Sequence, residues 1–211
     1  RSTPLYSSAA SDVYKRQNLY GATKLAADKI FVAGNNLSGA EGPIFSVVRY
    51  GNVIGSRGSV VPLFKKLIAD GVQELPITDL RMTRFWITLD HGVAFVLSCF
   101  DRMEGGEIFI PKIPSMKITE LANCMAPGLM HREVGIRPGE KLHEVMVSED
   151  DARTTIEFND RYAILAPFIN SSNSSLEKFN GKSVSAGFRY ASDTNTNYFS
   201  PDDFRQIVMK K

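Results

Sequence analysis

The feature that most constrains this chain is the run Phe45-Ser-Val-Val-Arg-Tyr50, closed by Gly51. A continuous β-prone run of that length predicts a strand buried on both faces, as in parallel sheets sandwiched between helices. Upstream, Leu19, Ala22, Ala26, Ala27, Ile30, Phe31 and Val32 recur at helical spacing and predict a helix reaching about residue 37. Downstream comes the glycine-rich Gly51-Asn-Val-Ile-Gly55-Ser-Arg-Gly58, then a helix over residues 60–70 with Ser59 able to cap it and Gly71 to stop it. Helix followed by buried strand is the repeat of an α/β fold. The turn then lies where such sheets bind ligands, just beyond a strand's carboxyl end.

The rest of the chain continues the alternation. Residues 84–88 read as a short strand, 90–100 as a helix, 107–110 as a strand and 119–125 as a helix with Thr119 as N-cap. Alternation of Ile156 and Phe158 with Thr155 and Glu157 predicts a hairpin over 153–165 turning at Asn159-Asp160. Serine and asparagine abound from 170 to 197, which predicts a mobile loop. Ser200-Pro201 then opens a terminal helix.

Composition excludes several function classes. With 43% hydrophobic and 23% charged residues in 211, the chain can bury a substantial core. The longest apolar stretch, residues 92–100, is far below the roughly 18 residues of a membrane span, so no membrane partner and a cytoplasmic location are expected. A net charge of +2 without a basic run argues against nucleic acid. Cys99 and Cys124 form neither a disulfide framework nor a metal-ligand cluster, so both are expected to be buried and no metal is expected. Arg49, Arg57, Arg81, Arg84 and Arg137 stand among apolar and glycine residues, where a guanidinium fork suits a small anion; structural ion pairs are the alternative. His143-Glu144 lacks a second histidine at zinc-protease spacing and reads as a structural pair on a helix.

One pair carries chemistry. Tyr20 and Lys24 are four apart on the first helix, so they share one face with β-carbons about 5–6 Å apart. A phenol is a poor base at neutral pH, but an adjacent ammonium stabilises its phenolate and moves it toward the working range.

The blocks Asn18-Leu-Tyr-Gly-Ala-Thr-Lys24, Val48-Arg-Tyr-Gly-Asn-Val53, Gly55-Ser-Arg-Gly-Ser-Val60, Ile77-Thr-Asp79, Met82-Thr-Arg-Phe-Trp86 and Gly135-Ile-Arg-Pro-Gly-Glu-Lys-Leu-His-Glu144 occur in that order. Together they resemble the extended short-chain dehydrogenase/reductases, and within them the inverting UDP-N-acetylglucosamine 4,6-dehydratases of pseudaminic acid synthesis. The likeness runs from Asn18 to about Leu165. It implies an α/β fold, the C-terminal part of a Rossmann-type NADP-binding domain plus a smaller α/β substrate-binding domain. Residues 18–110 would carry the Rossmann part with interleaved substrate segments, 111–169 the rest of the substrate region and 170–211 a variable extension. Residues 1–17, which lack any sustained period, read as a non-native leader.

In that family the tyrosine and lysine hold NADP and take the proton from the sugar's 4-hydroxyl, which implies those roles for Tyr20 and Lys24. Loss of water from C6 and reprotonation of C5 on the opposite face then give an inverted 4-keto-6-deoxy sugar. Val53 would sit near the nicotinamide. Asn52, Arg57, Thr78, Arg84, Arg137 and Glu140 would bind UDP-N-acetylglucosamine, the arginines on diphosphate or ribose and Glu140 on ribose hydroxyls. The resemblance also implies a homo-oligomer.

No G-x-G-x-x-G occurs, and the Thr-Asp-Lys segment the family carries before the tyrosine would fall near Ser11 to Val13, where it is absent. The chain by itself is therefore expected to be inactive. A UDP-sugar 4-epimerase shares the tyrosine/lysine pair without needing a C5 base. A non-catalytic reductase-fold binding module is an alternative of another class.

Overall fold

The computed structural model of the chain describes residues 19–38, 42–137, 139–166 and 181–209. The first helix, α1 (Leu19–Ser38), delivers the chain to β1 (Val47–Val48), a parallel partner of β5 (Ile108–Pro111). β5 continues antiparallel to β10 (Arg161–Ile164), which pairs with β9 (Thr155–Glu157), and β9 with β11 (Lys182–Ser183). Register sorts the side chains. Val47, Ile108, Ile110, Tyr162 and Ile164 face the side that Val32 of α1 helps to cover, whereas Phe109, Ala163 and Ile156 face Phe95 and Cys99 of α3 (Leu89–Phe100).

Next to this sheet, β2 (Asn52–Val53) lies parallel to β4 (Thr83–Ile87), and β4 antiparallel to β6 (Ser115–Lys117). β3 (Glu74–Ile77) pairs in parallel with β7 (Met130–Glu133), and β8 (Val145–Val147) antiparallel with β12 (Tyr190–Ala191). Helices α2 (Val60–Ala69), α4 (Ile118–Met125) and α5 (Pro201–Met209) bury Val61, Phe64, Leu121 and Phe204 against Leu75, Ile77 and Trp86. Gly51 is what lets β2 leave β1 and lie on β4. A β-carbon there would stand 2.6 Å from the Phe85 carbonyl oxygen and from its Cβ, below any real contact.

Several expectations change in the folded chain. The strand expected over 45–50 shortens to two half-buried residues, because β1 bonds to β5 on one side and has no second strand partner among the described residues. Ser59 stands at the N-cap of α2, but its hydroxyl makes no capping bond. α4 begins at Ile118, not after Thr119, because β6 runs straight into it, with Ile118 N donating to Met82 O at 3.0 Å. His143 and Glu144 lie on no helix; they form the approach to β8. Of the loop expected over 170–197, residues 170–180 lie outside the described residues, but the stretch 190–192 within 181–197 is built into the core, with Tyr190, Ala191 and Ser192 buried. Serine-rich composition missed it because one aromatic side chain anchors the segment. Tyr190 packs on Phe85 and Tyr162, and its hydroxyl both donates to Ile113 O (3.0 Å) and accepts from Ile113 N (2.9 Å). The terminal helix matches expectation, with the Ser200 hydroxyl accepting from Asp203 N at 3.1 Å.

Tyr190→Phe leaves the buried Ile113 amide without its partner, while the carbonyl keeps Asn195 Nδ2 at 3.0 Å, and the lost bond costs about 1–3 kcal/mol of unfolding free energy. Chemical denaturation of the two proteins measures the difference; an unchanged midpoint would show that Tyr190 contributes only its ring.

Candidate active site

α1 carries Tyr20, Lys24 and Asp28 at successive four-residue steps, which places them along one face. Asp28 fixes that face. Its carboxylate accepts from Arg49 Nε at 3.1 Å, and both groups are buried. Arg49 also donates from Nη1 to Met146 O at 3.1 Å and lies 3.6 Å from Asp151. A single guanidinium at the end of β1 thus ties the Tyr/Lys helix to the sheet and to residues 146–151. Of the five arginines marked for an anion, Arg49 is therefore fully committed to the fold, as is Arg81, which bonds Asp79 through Nε (3.0 Å) and Nη2 (2.7 Å). Those bonds hold the Asp79 carboxyl down to about 2.

Four residues beyond the end of β1, Asn52 begins β2. It is half-buried, and its Oδ1 is buried without a hydrogen-bond partner. Val53 follows and packs toward Ile87 and Phe85, its neighbours on β4. Arg57 is exposed in the turn between β2 and α2, where Gly55 and Gly58 take positive φ (75° and 77°) that other residues avoid. Thr78 is half-buried just after β3.

A second group gathers around Arg84 on β4. Its guanidinium is buried and donates to Thr83 O (2.8 Å), Leu142 O (3.1 Å) and Lys141 O (2.8 Å). Glu144 lies 3.7 Å from Arg84 Nε and Glu140 lies 3.9 Å from Nη2. Glu140 closes a turn with Arg137, accepting from Arg137 N at 3.3 Å and donating its own N to Arg137 O at 2.9 Å. Arg137 itself is exposed. Glu140 therefore lies between the Arg84 guanidinium and the Arg137 backbone, bringing two separate sequence blocks together, and Arg84 holds the loop that follows Arg137. No contact joins Arg57 or Thr78 to this group among the described residues.

Sequence reasoning missed how much of the site rests on Glu144 and His143. Glu144 is buried and accepts from Phe85 N at 3.1 Å. His143 Nδ1 lies 2.9 Å from Thr83 Oγ1, which lies 2.7 Å from Ser192 Oγ, and Ser192 in turn accepts from Glu144 N at 2.9 Å. This seam joins β4, residues 143–144 and the serine-rich segment. Its signal was present only in the His-Glu dipeptide, since Thr83 and Ser192 are 109 residues apart. An apolar cavity of about 220 Å³ between α2, α4 and α5, lined by Ile68, Cys124, Met125 and Phe204, contains none of the residues named for the site.

Comparison with known proteins identifies the family. The chain belongs to the family described as polysaccharide biosynthesis protein, whose model matches residues 10–166. It is 60% identical over 199 residues to a UDP-N-acetylglucosamine 4,6-dehydratase (inverting) of Campylobacter jejuni, covering 90% of this chain and 59% of that protein. The chain thus spans rather more than half the length of this relative. The X-ray structure of Pen from Bacillus thuringiensis superposes with a TM-score of 0.78 at 32% identity, over 95% of this chain and 59% of Pen. DesIV, a dTDP-glucose 4,6-dehydratase of Streptomyces venezuelae solved with NAD and TYD bound, shares the fold at a TM-score of 0.50 and 23% identity, over 58% of this chain and 40% of that one. The fold is α/β of the Rossmann type found in these enzymes. No helix among the described residues is long and apolar enough to cross a membrane.

Two outcomes test the polar framework. Arg49→Ala strands Asp28 as a buried charge and lowers stability by about 3–5 kcal/mol; adding Asp28→Leu recovers most of it. Additive losses in the double variant, read by urea unfolding, would show that the pair is not coupled. Burial also holds the His143 imidazole below its ordinary value of 6.5. The unfolded chain takes up that proton before the folded one, so stability present above about pH 6.5 is lost as pH falls through the folded value. His143→Gln flattens the slope between pH 7 and 5, a window well separated from Asp79, whose contribution disappears only as pH falls below its unfolded value toward 2. Parallel slopes for both proteins would remove His143 as the source.

Proposed function

We propose that this chain is the C-terminal portion of a UDP-N-acetylglucosamine 4,6-dehydratase that inverts C5. The observation that carries this is the 60% identity to the inverting Campylobacter enzyme over 90% of the chain. The four-residue spacing of Tyr20 and Lys24 on α1 and the Arg84–Glu140 contact support the same reading. The substrate is a UDP-linked sugar and the product a 4-keto-6-deoxy sugar used in surface or flagellin glycans such as those containing pseudaminic acid. We place the enzyme in the cytoplasm as a homo-oligomer.

The residues present suit a nicotinamide cofactor, NADP in this reading. Tyr20 and Lys24 would hold it along one face of α1, while half-buried Val53 offers an apolar surface to its ring. When bound, the nicotinamide supplies the reversible two-electron chemistry at the sugar. The chain's own residues do the rest. Lys24 stabilises the Tyr20 phenolate so that it accepts the proton of the 4-hydroxyl. The Asn52 amide contacts the sugar nucleotide through its NH2 group, a donor that suits the ligand's oxygens. Arg57 and Thr78 line the approach. Arg137, exposed on a turn fastened by Glu140, is free to swing onto the diphosphate, and Glu140 accepts from ribose hydroxyls, while Arg84 holds that turn against β4 from within diphosphate reach.

UDP binding to the chain, followed by calorimetry, should weaken about tenfold or more in Arg137→Ala, the loss of one charge-assisted contact of roughly 1.5–3 kcal/mol, with the fold unchanged because the side chain is exposed. Equal affinity would remove Arg137 from the site. For the reaction itself, the chain joined to the upstream part of its Campylobacter relative should convert UDP-N-acetylglucosamine to the C5-inverted 4-keto-6-deoxy product by NMR. Retention at C5 would reject the assignment.

A further inference from the structure

Three buried polar atoms on one side of the β2–β4 pair have no hydrogen-bond partner: Asn52 Oδ1, Ser59 Oγ and Trp86 Nε1. Trp86 is fully buried, so its N–H cannot reach solvent. An indole N–H left unpaired in a core is costly, and such a group calls for an unseen partner. Register supplies the neighbourhood. Asn52 and Trp86 are Cα partners on parallel strands, so their side chains leave the same face side by side. That face packs toward α2, since Ile54, Val60 and Val61 join Trp86 in one cluster while Val53 and Ile87 join the cluster on the other face. Ser59 sits at the foot of α2 on this same side, its hydroxyl uncommitted to the helix cap.

The chemistry of the three atoms is complementary. Trp86 Nε1 is a donor only, Asn52 Oδ1 an acceptor only, and Ser59 Oγ can act as either. One water fits: it accepts from the indole, donates to Asn52 Oδ1 and uses its remaining proton or lone pair on Ser59, within the two to four partners a buried water needs. The inward Oδ1 is also the orientation such a neighbourhood demands, since a flipped amide would set its NH2 donors against the indole donor.

We propose that Asn52, Ser59 and Trp86 hold a single buried water beneath the glycine-rich turn, and that Trp86 is through it a positioning residue for Asn52. The water holds Oδ1 inward and so turns the amide NH2 outward toward the ligand. This second half rests on the reading of Asn52 as a contact for the sugar nucleotide; the water site stands without it.

Trp86 is the chain's one tryptophan, so its indole gives a single, already assigned signal in the 211-residue protein labelled with [15N]tryptophan. The indole proton should cross-relax with water with the sign of a long-lived bound molecule. That peak should vanish in Asn52→Leu and survive in Asn52→Asp, which keeps an acceptor, while the dispersed spectrum of each variant reports an intact fold. Absence of the peak in the unmodified protein, or its persistence in Asn52→Leu, overturns the water site. Trp86→Phe keeps a ring in the core and removes the donor, and should weaken UDP several-fold in calorimetry. Unchanged UDP affinity overturns the positioning role, whereas failure of the unmodified protein to bind UDP overturns the sugar-nucleotide reading together with that role, and leaves the water to be decided by its own signal.

Discussion

Everything proposed for the site depends on one buried guanidinium. Arg49 ends β1 and spends its donors on Asp28 of α1 and the Met146 carbonyl, with Asp151 close by. A strand of two residues gives α1 little support of its own, so α1 is held by this clamp, by two hydrogen bonds between the Asn35 amide and the Phe45 backbone (2.9 Å each) and by the Phe31–Phe45 contact. A buried ion pair of this kind is modest as a source of net stability, because desolvation offsets most of the attraction. Its value here is geometric. It leaves one low-energy placement of α1 against the strand that carries Asn52.

The same economy recurs at Arg84. Two loop carbonyls, those of Lys141 and Leu142, accept from a single side chain, which holds residues 140–144 as a fixed ledge beside Arg137. The Thr83–Ser192 contact then fastens the C-terminal segment to the same strand. Function and stability therefore share residues. Arg84 has buried partners on the protein side, which hold its guanidinium in place.

Much of the candidate site was legible in the sequence. Tyr20 and Lys24 were visible from spacing, and the resemblance drew Asn52, Val53, Arg84, Arg137 and Glu140 into one constellation. What spacing could not separate was arginine for ligand from arginine for fold. Arg49 and Arg84 look alike in sequence, each isolated among apolar neighbours, yet one is saturated by Asp28 and Met146 and the other grips the loop that bears Glu140. The partners that decide this lie 21 and 97 residues away for Arg49, and 57 and 58 residues away for Arg84, at the Lys141 and Leu142 carbonyls.

By itself, the sequence determined the local elements and their chemistry: the helix with its Tyr/Lys face, the glycine turn, the capped terminal helix and the hairpin at Asn159-Asp160. These follow from periodicity, caps and turn residues, which act over a few positions. Only the tertiary structure decided that a serine-rich stretch is anchored by Tyr190, that Ser59 leaves its cap unmade, and that Asn52 and Trp86 pair across strands with buried, unpartnered atoms. Those outcomes depend on which side chains become neighbours across strands. The physical reason is that burial, not local propensity, sets the cost of each unpaired polar group.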